Sequence, residues 1–187
     1  MKNYMKNEKI IIGLVGQMAS GKGTVAEYLE KNYQARTYRF STILRDVLER
    51  LHCEITRATL QGLSTALRGV LGEDLLAKVI TEDVKQDGNN IIVVDGIRRM
   101  ADIKYLKDLN NFILVKIVAD PKIRYERLIK RTENSGDTQK TYEEFLADQS
   151  KEADAEIPAV MQTAQEEINN DGNFDDLYKQ IEKLIKN

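Results

Sequence analysis

The sequence predicts an α/β fold, a three-layer α/β/α arrangement around a central parallel sheet of five strands. Two observations predict it. Short β-branched apolar runs alternate along the chain with stretches of helical period, the pattern of strands buried on both faces and joined by crossover helices. In addition, the first of these runs breaks into a glycine-containing turn and then straight into a periodic helix, as a βα unit does.

The elements follow in order. Ile10 to Val15 is a continuous apolar run and reads as a buried strand; Gly16 to Gly23 is a turn, after which Val25, Ala26 and Leu29 recur at helical spacing. Ala35 to Phe40 is a second short strand, and Ser41 is the expected N-cap of a helix with Leu44, Val47, Leu48 and Leu51 on one face. Thr56 opens a helical region, interrupted at Gly62, Gly69 and Gly72, that reaches about Lys85. Asp87 to Asn90 is a turn signal. Ile91 to Asp95 is the clearest buried strand, followed by a helix from Met100 to about Leu109 and a strand from Phe112 to Val118. Asp120-Pro121 opens a helix to Arg131, since proline in the first turn lacks only a donor the helix would not use. Thr141 and Glu144 have capping-box spacing for a helix to about Ala153; Ile168 marks a last strand, and Phe174 to Ile185 a C-terminal helix.

At 187 residues the chain fits a single domain. With 42% hydrophobic residues it can bury a core and is no disordered chain. Twenty-eight Lys and Arg against 30 Asp and Glu leave a net charge of −2. That balance offers no general field for a polyanion, so nucleic acid is not an expected partner. One cysteine, Cys53, excludes an intrachain disulfide. The run from Ile10 to Val15 is far too short for a signal-peptide core or a membrane span, so the expected setting is the cytoplasm with no membrane partner. His52 and Cys53 are adjacent and point apart on a helix, which gives no metal pair. Glu143, Glu144, Asp148 and Glu152 read as a solvated helix face.

The strongest chemical signal is Gly16-Gln17-Met18-Ala19-Ser20-Gly21-Lys22-Gly23-Thr24. Its glycines let backbone N–H groups approach phosphate oxygens, and the following helix aims its positive end at them. Gly16, Ala19, Ser20, Gly21, Lys22, Gly23 and Thr24 are therefore candidate ATP-binding residues, Lys22 for the β- and γ-phosphates and Thr24 for Mg²⁺. Asp95 ends an apolar strand and can orient the metal or its waters, with Arg98 three residues on. Transfer between phosphates gathers negative charge that fixed cations must neutralise. Arg124, Arg127 and Arg131 fall within an arc of about 60° on one helix, followed by the polar stretch 132–141.

The Gly-Lys-Gly-Thr ending resembles the adenylate-kinase type of P-loop, found in nucleoside monophosphate kinases and their relatives. Asp95-Gly96-Ile97-Arg98 is similar to the Asp-Gly-Phe-Pro-Arg element of adenylate kinases without its proline, which implies that Asp95 and Arg98 serve the acceptor. Arg127 and Arg131 resemble that group's lid arginines, one against adenine and one on the phosphates. Phe40 to Arg45 resembles the segment ending in Leu-Arg that receives the acceptor's α-phosphate, with Thr42 in place of an acid; Arg45 is the implied contact. The stretch from Thr56 to Asp74 is similar to deoxynucleoside monophosphate kinase-like proteins, which adds Arg57, Gln61 and Arg68 as acceptor candidates. Ala164 to Gly172 resembles the Ala-Asp-x-x-Ile-x-Asn segment before the adenine loop, with Gln165 for Asp, and implies adenine contact at Asn170 to Gly172.

The resemblance runs from Lys9 nearly to the C-terminus, and only its P-loop is highly specific. It implies a P-loop kinase with a helical acceptor-site insert near 41–87 and a lid near 132–150. Lys22, Arg98, Arg127 and Arg131 would be its catalytic cations, and Mg-ATP and a small phosphorylated acceptor, such as a (deoxy)nucleoside monophosphate, its ligands. Two alternatives stay open: a dephospho-CoA kinase-like transfer to a hydroxyl, and a regulatory module that hydrolyses nucleotide slowly.

Overall fold

A computed structural model describes residues 9–130, 137–148 and 155–186. Five parallel strands form one sheet in the order β2-β3-β1-β4-β5: β1 (Ile10–Val15), β2 (Arg36–Arg39), β3 (Ile91–Ile97), β4 (Phe112–Val118) and β5 (Glu166–Asn169). Eight helices connect and cover them among the described residues: α1 (Lys22–Tyr33), α2 (Phe40–Arg50), α3 (Arg57–Leu71), α4 (Leu75–Gln86), α5 (Pro121–Lys130), α6 (Tyr142–Asp148), α7 (Ile157–Gln162) and α8 (Phe174–Lys186).

Side-chain alternation along the strands builds a core on each face. Ile11 and Val15 join Ile92, Val94 and Leu114 under Phe40 and Leu44 of α2 and Leu76, Ile80 and Val84 of α4. Ile12 and Leu14 join Val93, Val115 and Ile117 against Val25, Ala26 and Leu29 of α1 and Leu177 and Ile181 of α8. The chain passes from β1 to strands on one side of it and then, through β4, to the other. Ligands of open parallel sheets bind at the carboxyl ends of the strands beside such a switch.

Several local expectations change. The helix after β2 starts at Phe40, with Arg39 rather than Ser41 at its cap; Phe40 is buried in the core, so its burial sets the boundary. Thr56 caps α3, exchanging bonds with Thr59, and of the three expected interruptions only Gly72, at φ 102, ends a helix, while Gly62 and Gly69 lie inside α3. Between β3 and β4 there is no α-helix but two 3₁₀ turns, Met100–Ile103 and Leu106–Asp108. Ile103 and Leu106, one at the end of the first turn and one at the start of the second, are both buried. Helix α7 was not foreseen; its signal was Pro158 in a first turn. No helix among the described residues is long and apolar enough to cross a membrane.

Two phenols lock helices to neighbouring elements. Tyr38 of β2 donates to Asp87 Oδ2 at 2.7 Å, and Tyr28 of α1 donates to Glu182 Oε1 at 3.1 Å while stacking on Tyr178. Burial, reinforced by the carboxylate each one faces, pushes both phenols up to about 12. The folded state therefore keeps protons that the unfolded chain releases near pH 10. The stabilisation is fully present below that pH and is lost as pH rises toward about 12. In a phenolate absorbance titration these two should ionise after the ordinary tyrosines; Tyr28→Phe and Tyr38→Phe should each remove late signal. A single transition unchanged by both substitutions would contradict this.

Candidate active site

The loop from Gly16 to Gly21 leaves the buried end of β1 and turns directly into α1. It can do so only with particular residues. A Cβ at Gly16 would lie 2.5 Å from the Ile117 carbonyl oxygen and 2.7 Å from Ser20 Oγ, so only glycine fits there. Gly21 caps the helix at φ 102 with no side-chain bond, and there is no acid in the first turn of α1. The first N–H groups of a helix have no intrahelical partner, and with no acidic cap nearby they present a partial positive charge to a ligand. Lys22 spans the loop, donating from Nζ to the carbonyls of Gly16 at 2.6 Å and Gln17 at 3.1 Å. Ser20 is 1% exposed and its hydroxyl has no hydrogen-bond partner among the described residues. An open helix end, a lysine and an unsatisfied buried hydroxyl together fit an anion such as a polyphosphate.

Next to this loop, Asp95 stands two residues before the end of β3, in register beside β2, where Arg39 stands opposite. Arg39 Nε donates to Asp95 Oδ2 at 3.3 Å and the Gly96 N–H to Oδ1 at 2.8 Å. Thr24 in α1 and this carboxylate are the oxygen donors that the sequence reading assigns to Mg²⁺. The set suits an ion that takes one or two protein ligands and completes its shell with phosphates and water. No group of three or more His, Cys, Asp or Glu that could form an all-protein metal cage occurs among the described residues.

The arginines fall into different places. Arg98 is exposed just past β3, with its backbone N–H held by Asp102 Oδ2 at 3.0 Å. Arg45 is exposed on α2, and Arg57 and Gln61 are exposed four apart on one side of α3. Arg68 does not join them: it is buried, donating to Asp102 Oδ1 at 3.0 Å and to the Glu73 carbonyl. Asp102 is itself buried while Glu73 is exposed, so Arg68 is held inside the protein and ties the end of α3 to the turn after β3.

On α5, Arg124 is 1% exposed and its guanidinium lies over the Phe145 ring of α6, 5.3 Å from its centre; burial pulls its pKa down. Arg127 donates to the Asn170 carbonyl at 2.8 Å, and its Nη1 is buried without a hydrogen-bond partner among the described residues. Arg131 and residues 132–136 and 149–154, which include much of the expected lid and Glu152, lie outside the described residues.

Asn170 is buried, and its amide donates to the Ser20 carbonyl at 2.8 Å, so its side chain belongs to the phosphate loop. Gly172 follows on an exposed turn fixed by Asn169 and Asp171. Gln165 still does a job at the position of the missing Asp, accepting the Leu114 N–H at 2.8 Å. The expected solvated face on α6 is also revised. Asp148 turns inward to Lys140 at 2.6 Å, and Glu144 caps the helix through the Thr141 N–H at 2.8 Å.

Arg39 and Asp102 were missed by sequence reasoning. Arg39 is recognisable only once β2 and β3 are in register. The signal for Asp102 was its position three residues after Arg99, where an acid can cap a turn.

Comparison with known proteins agrees with this architecture. A family model described as an AAA domain matches residues 12–152. A UPF0200 protein of Pyrococcus furiosus is 32% identical over 181 residues, covering 94% of this chain and 96% of its own. Another, from Staphylothermus marinus, is 26% identical and covers 95% and 93%. Among solved structures, shikimate kinase from Bacteroides thetaiotaomicron superposes with a TM-score of 0.64 at 17% identity, covering 95% of this chain and 97% of that one. Shikimate kinase from Acinetobacter baumannii, in complex with shikimate, gives 0.53 at 15% identity, covering 95% and 92%. With its β1 phosphate loop, its five parallel strands and these matches, the chain belongs to the AAA-domain family of P-loop proteins and carries the P-loop kinase-like fold.

Proposed function

We propose that this protein is an ATP-dependent phosphotransferase that moves the γ-phosphoryl of Mg-ATP to a nucleotide-like acceptor, most specifically a (deoxy)nucleoside monophosphate. The observation that carries the reading is the loop itself: an uncapped helix N-terminus, Lys22 across the loop carbonyls, and Asp95 on the adjoining strand end. Mg²⁺ bound by Thr24 and Asp95 would neutralise phosphate charge. Lys22 and the loop N–H groups hold the donor phosphates, while Arg98, Arg127 and Arg131 supply cationic charge to the transferred group. Arg45 on α2, with Arg57 and Gln61 on α3, is assigned to the acceptor. An oxygen of the acceptor phosphate bonds to the γ-phosphorus as the bond to the β–γ bridging oxygen breaks, and ADP leaves with that electron pair.

A phosphate acceptor is already anionic and needs no general base. That suits the residues following β2, Phe40, Ser41 and Thr42, which carry no carboxylate for a hydroxyl acceptor, while Asp95 across from Arg39 is paired with it and assigned to Mg²⁺. The test is ADP release measured over ribo- and deoxynucleoside monophosphates, dephospho-CoA and shikimate. Stimulation by a monophosphate is expected. Stimulation by dephospho-CoA or shikimate alone would move the reading to hydroxyl transfer, and hydrolysis indifferent to every acceptor would move it to a regulatory NTPase. With the active acceptor, Arg45→Ala should raise the acceptor KM about tenfold or more and leave ATP affinity within about twofold. Equal losses for both ligands would remove Arg45 from the acceptor site.

A further inference from the structure

Two buried side chains hold the phosphate loop from behind, and the residues they bracket are the strained ones. Arg124 Nη1 donates to the Met18 carbonyl at 3.3 Å while its Nε donates to the Ala119 carbonyl at 3.1 Å. Asn170 Nδ2 donates to the Ser20 carbonyl at 2.8 Å and packs against Gly21, where a Cβ would run into it. Arg124 is 1% and Asn170 6% exposed, so neither is a surface group that happens to lie near the loop. Between the two anchored carbonyls sits Ala19 at φ 59, and directly after them Gly21 at φ 102. A left-handed alanine costs about 1–2 kcal/mol and persists only where its surroundings enforce it.

The peptide group supplies the rest of the argument. No peptide bond among the described residues is cis, and in a trans peptide the C=O and the following N–H point in opposite directions. Drawing the Met18 carbonyl toward Arg124 therefore turns the Ala19 N–H the other way, and drawing the Ser20 carbonyl toward Asn170 does the same for the Gly21 N–H. The Ser20 N–H between them turns back to the Gln17 carbonyl at 3.2 Å, and N–H groups freed on either side of it through left-handed residues can form an anion-binding concavity. We infer that Arg124 and Asn170 are positioning residues: they aim the N–H groups of Ala19 and Gly21 at the phosphates without touching the nucleotide. Arg127 steadies the second strut by donating to the Asn170 carbonyl, and Phe145 supports the first, so α5 and α6 fix the loop from outside.

The inference rests on the phosphate-binding reading, and its test separates the two. Arg124→Met, Arg124→Lys and Asn170→Ala are titrated calorimetrically with ATP and with inorganic tripolyphosphate. Their thermal midpoints and the backbone N–H resonances of Ala19 and Gly21 in ligand-free protein are recorded alongside. Arg124→Met and Asn170→Ala should weaken both ligands by the same factor, about tenfold or more, because the loss falls on phosphate alone. Arg124→Lys should recover part of it. The Ala19 and Gly21 resonances should move while those of β2 stay. Folded variants that bind tripolyphosphate within about twofold of the parent, or that leave both resonances in place, would overturn the assignment. If the parent binds neither ligand, the phosphotransferase reading falls; the resonances of the free variants then decide the struts by themselves, displaced supporting them and undisplaced overturning them.

Discussion

Replacing Lys22 by Met should lower acceptor-dependent ADP formation by roughly 10²–10³-fold while the protein stays folded. Lys22 is the first residue of α1, and its amine reaches back over the loop to the carbonyls of Gly16 and Gln17. These bonds close the loop before any ligand arrives, so the charge is already placed where the phosphates would lie. Methionine keeps most of the side chain's length and loses the charge and its donors. In the free protein that costs about 1 kcal/mol for each of two partly buried hydrogen bonds, which moves the melting midpoint by only a few degrees, at about 2–4 °C per kcal/mol for a chain of this size. The effect on transfer is far larger, because a fixed cation opposite developing phosphate charge acts where water is excluded. Rates are to be compared at saturating ATP and acceptor, beside a melting curve. Turnover within about tenfold of the parent would show that Lys22 serves only to close the loop.

The difference between what the sequence announced and what it hid follows from the range of the interactions. The phosphate loop was legible because its pattern is local: its glycines and Lys22 fall within nine residues, and Gly21 needs a positive φ. The sheet was legible for a similar reason, since strands buried on both faces must be apolar throughout. The capping box at Thr141 and the helix start at Thr56 were legible too, being set by contacts over three residues. What stayed hidden depends on pairing between distant segments. Arg39 meets Asp95 across 56 positions, and Arg124 meets Met18 across 106. A stripe of arginines on α5 showed that cations were gathered there, yet it did not show that Arg124 donates to the Met18 carbonyl of the loop. Spacing defines which face of a helix a residue occupies; it does not say what packs against that face. The net charge of −2 misleads in the same way, because it averages exposed acids with arginines placed at the carboxyl edge of the sheet.

Asp102→Ala should be the most destabilising single substitution at the border of this site, costing about 3–5 kcal/mol. One carboxylate here satisfies three donors. Oδ1 takes the Arg68 guanidinium at 3.0 Å, and Oδ2 takes the N–H groups of Arg98 and Arg99, both at 3.0 Å. The side chains of Asp102 and Arg68 are only 4% and 8% exposed. Alanine would leave a guanidinium buried with the Glu73 carbonyl as its remaining protein acceptor, and a buried charge stripped of its counter-ion is far costlier than a pair removed together. Removing the arginine as well, in Arg68→Met with Asp102→Ala, should therefore return part of the loss. The return cannot be complete, since the N–H groups of Arg98 and Arg99 still lack their acceptor. Urea denaturation of the two single variants and the double variant separates these contributions: the recovered part measures the charge, and the part that stays lost measures the backbone cap. That second part bears on activity, because the cap fixes where Arg98 leaves the end of β3. Asp102→Asn, which keeps an oxygen for the N–H groups and loses the charge, should hold Arg98 better than alanine and preserve more transfer. A double variant no more stable than Asp102→Ala would mean that Arg68 is not an uncompensated charge, and the account of this hub would fail.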